Sequence, residues 1–73
     1  TTSRDRMAAE VRAAIARAGL PREQVADAAG MHRQLLSRKL NGHTPLLVEE
    51  VVAIAKAIDV PPDELAAAVI AAA

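Results

Sequence analysis

The chain has 73 residues, with nine Lys+Arg balanced by nine Asp+Glu, 18 alanines, and no Phe, Tyr, Trp or Cys. The length fits one small domain over residues 1–73, and the absence of cysteine excludes a disulfide scaffold, a Cys-ligated zinc site and a thiol nucleophile. Alanine is the best helix former, and aromatic residues favour strands, so the composition predicts an all-α fold.

Five helical segments follow in chain order. Thr2 and Ser3 offer capping oxygens for a first helix over about Arg4–Ala18, and Thr2 with Asp5 fits a weaker form of the capping box. Met7, Val11, Ala14, Ile15 and Ala18 repeat at helical spacing and predict its buried stripe, leaving Arg6, Arg12 and Arg17 off it. Gly19 ends this helix, and Pro21 suits the first turn of a second one over about Arg22–Ala29, with Val25, Ala26 and Ala29 facing inward. Gly30 stops it. His32 occupies the cap of a third helix over Arg33–Leu40, which closes at Asn41-Gly42, a pair suited to positive φ. Val48, Val51, Val52, Ala55 and Ile58 form the stripe of a fourth helix over about Val48–Ile58. Asp59-Val60-Pro61 breaks it, and Pro62 opens a fifth, with Asp63 and Glu64 in its first turn and Leu65, Val69 and Ile70 as its apolar residues. The short loops predict one five-helix bundle.

The segment Arg22–Asn41 has the layout of a helix-turn-helix, in which the second helix can enter the major groove of DNA. Ala26 lies where the two helices cross, Gly30 lets the chain turn, and Val25, Met31 and Leu36 pin the pair to the bundle. Charge is distributed to match. The balance is +1 over residues 1–27, +3 over residues 28–48 and −4 over residues 49–73, so one end of a neutral molecule is expected to be basic. On the third helix, Leu36 and Leu40 face the core, while Arg33, Gln34, Ser37 and Arg38 share the outward face. Arg can bond guanine O6 and N7 in bidentate fashion, and Gln can do so to adenine N6 and N7, which makes these four the candidate base readers. Leu35 flanks the face, either as a thymine-methyl contact or as a partly buried neighbour of the second helix. Arg22, His32, Asn41, Gly42, His43 and Thr44 surround it as candidate phosphate contacts.

The same residues carry a family resemblance. Gly19–Ala26, Gly30–Gly42 and Ile54–Leu65 resemble, respectively, the opening of the second helix, the turn with recognition helix, and the fourth helix with the start of the fifth in the lambda-repressor/Cro-like helix-turn-helix proteins (the XRE family). The resemblance covers about residues 8–66. It implies a sequence-specific regulator of transcription that binds a double-stranded DNA operator, commonly as a homodimer. Arg33, Gln34 and Arg38 fall where the family reads bases. Three positions depart: the family usually has Ser or Thr at Pro21, Gln at Arg22 and an apolar residue at Lys39, whose stem is expected to snorkel.

Assembly is expected too, because an aromatic-free core of this size rarely supplies more than about 3–5 kcal/mol. Leu65, Val69 and Ile70 are the candidate pairing surface, with closure of the chain's own core as the alternative. The missing initiator Met suggests a processed N-terminus or an excised piece; a Cro-like protein is expected to be complete, and a repressor fragment to have lost a dimerisation domain. Other chemistry finds no support. The two histidines are 11 residues apart with no acid between them, and Ser3 and Ser37 have no partners for a triad. The expectation is therefore no enzyme, metal, cofactor or small-molecule ligand. The longest uncharged runs, Leu40–Val48 and Leu65–Ala73, are far short of the ~20 apolar residues that span a bilayer, and no signal peptide is visible, so a cytoplasmic, nucleoid-associated location is expected. The rival reading is a protein-interaction module of the same fold, such as an antitoxin or adaptor.

Overall fold

Thr2 starts the chain's first helix with a complete capping box. Its hydroxyl accepts the Asp5 N–H at 3.1 Å, and the Asp5 carboxylate accepts the Thr2 N–H at 3.3 Å. Hydrogen bonds from Thr2, first its backbone N–H and then its hydroxyl, hold the Asp5 carboxyl below its ordinary value. The computed structural model describes residues 2–73 and gives five helices: α1 (Ser3–Ala18), α2 (Arg22–Ala29), α3 (Arg33–Leu40), α4 (Val48–Ala57) and α5 (Pro62–Ala72). They fold into a bundle with a radius of gyration of 10.7 Å. The helix α1 packs on α3 and α5, α2 on α3 and α4, and α4 on α5.

Three helix ends use one device. At the end of α2, Met31 N–H reaches Ala26 C=O at 2.9 Å; after α3, His43 N–H reaches Arg38 C=O at 3.0 Å; after α4, Val60 N–H reaches Ala55 C=O at 2.9 Å. Each is the six-residue closure of a Schellman motif, which needs one left-handed residue. Gly30, Gly42 and Asp59 supply it, Asp59 at φ 59° being a non-glycine example. Asn41, by contrast, stays at φ −90°, so of the Asn41-Gly42 pair only Gly42 takes positive φ. Pro21 stands at the cap of α2 rather than inside its first turn, whereas Pro62 is the first residue of α5 as expected.

Val11, Val25, Leu36, Leu40 and Ile54 are fully buried and form the centre of the core. The face of α4 differs from the predicted stripe. Val51, Ile54, Ala55 and Ile58 point inward, while Val48 is 77% exposed. Counting i, i+3, i+4 and i+7 from Val51 includes Ile54, which lies centrally, and leaves Val48 one turn earlier at the rim. On α5, Leu65 and Val69, four apart, are each 3% exposed and close the core, whereas Ile70 is 72% exposed. Leu65 and Val69 thus close the chain's own core, the alternative reading, and Ile70 is the exposed residue of the three. Arginines tie the ends together: Arg6 Nε donates to Ala72 C=O at 3.0 Å, and Arg12 Nη1 to Leu40 C=O. Arg12 therefore serves the C-terminal carbonyl of α3, where a cation is favourable.

Lys39 does not snorkel. It is 5% exposed, and its Nζ donates to Glu50 Oε1 at 2.6 Å and to Pro45 C=O at 3.0 Å. Glu50 Oε1 also accepts the Leu47 N–H at 2.8 Å, which fixes the start of α4. Two charges are thereby removed from water, an arrangement that is stable only while both partners remain. Glu50→Ala is expected to cost about 3–5 kcal/mol by leaving the ammonium buried and unpaired, comparable to the whole stability of so small a core. Replacing both residues by apolar side chains of similar volume (Lys39→Met with Glu50→Leu) is expected to recover most of that loss. Urea denaturation midpoints of the single and double variants check this, and equal losses would refute it.

Candidate nucleic-acid interface

The geometry of the α2–α3 pair begins with small residues. Ala26 and Val25 on α2 and Leu36 on α3 are each fully buried, so the two short helices approach closely and share the core. Gly30 turns the chain between them at φ 71°, and a Cβ built there would meet nothing within 4 Å. Its requirement is conformational rather than steric. His32 then caps α3, its Nδ1 accepting the Gln34 N–H at 3.2 Å. The first turn of α2 has no side-chain cap, so its amides have no side-chain partner at the cap.

The outward face of α3 carries Arg33, Gln34 and Arg38 exposed and Ser37 half-buried. An open groove of roughly 460 Å³ runs between the starts of the two helices, lined by Pro21, Arg22, Glu23, Arg33, Gln34 and Ser37. It brings together three of the four candidate base readers and one phosphate candidate, Arg22, while Arg38 is not part of its lining. Asn41, Gly42, His43 and Thr44 occupy the turn after α3, with Asn41 and His43 exposed and Gly42 and Thr44 half-buried. A Cβ at Gly42 would meet the Asp5 carboxylate, which would have to shift, so the firmer requirement there is the positive φ of 80°. Leu35 is 40% exposed.

Electrostatically the face is less basic than the sequence balance implied. The charge of Lys39 is spent inside on Glu50. Arg33 Nη1 contacts Glu23 Oε2 at 2.9 Å, with the two side chains 65% and 67% exposed. The surface cations are Arg22, Arg38 and a partly neutralised Arg33. Sequence reasoning missed Glu23 as part of this site, because a pair ten positions apart on different helices leaves no periodic signal.

Comparison with protein families finds that a model described as a helix-turn-helix domain matches residues 6–68. The chain belongs to the helix-turn-helix domain family. Comparison with curated proteins finds no match. Within this helix-turn-helix, α2 and α3 are the paired helices, Gly30 opens the turn, and the starts of α2 and α3 line one open groove. Among the described residues, no helix is long and apolar enough to cross a membrane.

The turn supplies its own test. A left-handed conformation costs an ordinary residue roughly 1–2 kcal/mol, and a β-branched one more. Gly30→Val is expected to lower Tm by about 4–8 °C per kcal/mol lost, with Gly30→Ala intermediate and Gly30→Asn mildest. An unchanged melting temperature for Gly30→Val in a thermal scan would count against this turn geometry.

Proposed function

We propose that the chain is a sequence-specific regulator of transcription that binds double-stranded DNA, similar to the XRE-family repressors and Cro proteins, and that it inserts α3 into the major groove. The observation that carries this reading is the exposed face of Arg33, Gln34, Ser37 and Arg38 on the second helix of the motif, beside Arg22 across an open groove. Arg33, Gln34 and Arg38 have the donors and acceptors that distinguish guanine and adenine edges, and Ser37 can bond either. Arg22, the uncapped amides of α2, His32 and the turn Asn41–Thr44 form a rim of phosphate contacts that sets the register. The chain acts as one domain in the cytoplasm, at the nucleoid.

The decisive experiment is selection from a pool of randomised duplexes at about 50 and 200 mM salt, with log K falling by about 0.9 per phosphate for each unit of log salt. An enriched motif with a steep salt slope is expected. Arg33→Ala with Arg38→Ala is expected to reduce binding to that motif about 30-fold or more, since each lost bidentate contact is worth about 1–3 kcal/mol. No enrichment and a flat salt response would instead favour the interaction module of the antitoxin or adaptor type.

The chain pairs on DNA as a homodimer, with half-sites about one helical turn, around 34 Å, apart. Exposed Val48 and Ile70 support this: with Met7, Leu46, Val51, Ala66 and Val69 they line a shallow apolar hollow of roughly 80 Å³, and Leu47 beside them is 50% exposed. Ile70→Asp is expected to leave Tm within a few degrees but to convert two-copy occupancy of a palindromic duplex into one-copy occupancy. Sedimentation of the variant with that duplex reads the stoichiometry, and an unaltered two-copy complex would remove Ile70 from the pairing surface.

A further inference from the structure

We infer that Glu23 is a specificity-determining residue of this interface, acting by positioning Arg33, an inference that rests on the DNA-binding reading above. The contact joins the first turns of both helices across the groove, Arg33 Nη1 to Glu23 Oε2 at 2.9 Å. Both side chains are about two-thirds exposed, and exposed pairs of this kind contribute little to folding stability because water and salt compete for both charges. A carboxylate on a surface that must approach phosphates also repels every duplex alike. Its presence opposes affinity; beyond suiting the first turn of α2, where an anion is favourable, it reaches Arg33 across the groove, and the value of that contact lies in selection.

The donor geometry supplies that value. A guanidinium has five N–H groups in a rigid fork. With Nη1 held by Glu23, the edge formed by Nη2 and Nε stays free, and two parallel donors are what guanine O6 and N7 require. Glu23 therefore orients Arg33 for a base edge without consuming the donors that read it. The same pairing cancels the charge of Arg33 as long as no guanine is present, so Arg33 does not drift to a neighbouring phosphate and add sequence-independent affinity. Discrimination is raised from both sides: the correct base meets a preset donor pair, and opposite a wrong one Arg33 stays paired with Glu23 and adds no phosphate contact.

Glu23→Gln tests this because it keeps the shape and removes the charge. Duplex selection with the full chain is expected to show a motif whose preference weakens at the base pair lost in Arg33→Ala, and a ratio of specific to non-specific affinity reduced by up to about fivefold. Affinity for an unselected duplex is expected to rise, with the log–log salt slope steeper by about 0.9 as Arg33 is released to one phosphate. Glu23→Asp, which keeps the charge but shortens the reach, is expected to retain the shallow slope and lose the base preference. A Glu23→Gln motif and slope equal to those of the unmodified chain overturn the inference while leaving the DNA-binding reading intact, and a Glu23→Asp variant with an unaltered motif overturns positioning by reach. Failure of the unmodified chain to bind any duplex overturns both readings together.

Discussion

The contact on which the candidate DNA-facing surface depends is the buried pair of Lys39 and Glu50. Its ammonium and carboxylate sit almost out of water, 6% and 16% exposed, where each charge alone would be costly. Because Lys39 also holds Pro45 C=O, and Glu50 also holds the Leu47 N–H, one pair fixes the end of α3, the turn that follows and the start of α4. Arg12 secures the same helix end from α1 through Leu40 C=O. The turn carrying Asn41 to Thr44 is therefore braced from inside as well as by its own closure through Gly42 and His43. In a core without aromatic rings, such polar bracing supplies registration that large side chains supply elsewhere.

A second ion pair works under opposite conditions. Arg33 and Glu23 meet in the open, where water screens them and the pair contributes little to folding stability. The two pairs reduce the exposed positive charge of the segment that the sequence makes most basic, since Lys39 is buried and Arg33 is partly compensated. What remains outward, Arg22 at the uncapped first turn of α2 and Arg38 in the last turn of α3, is a modest positive field. A neutral chain of this kind gains its affinity from few cations, and the placement of each one matters correspondingly more.

Local signals in the sequence account for most of the architecture. The capping box of Thr2 and Asp5, the stops at Gly19 and Gly30, the cap at His32 and the opening of α5 by Pro62 all act within a few residues, so their physics is contained in short windows. The boundaries of α2 and α3 are found where those signals place them. Periodicity was less decisive on α4. Ile54 lies between two near-equivalent apolar stripes, and only the packing of α2 and α5 on that helix selects the one containing it. The same holds for α5, where Leu65 and Val69 could have faced a partner or the core, and the approach of α1 and α4 assigns them to the core.

The amino-acid sequence by itself determined the all-α class, the helix order, the turn between α2 and α3 and the set of polar residues on the outward face of α3. These follow from propensity, capping and the helical repeat, which are properties of neighbours along the chain. Tertiary structure alone decided that Lys39 is an internal brace rather than a surface cation, that Glu23 stands against Arg33, and that Ile70 with Val48 rather than Leu65 and Val69 remains apolar and exposed. Each of those outcomes depends on residues from different helices meeting, Lys39 with Glu50 and Arg33 with Glu23. Such a meeting is set by how the helices cross, and neither charge nor spacing along one helix encodes it.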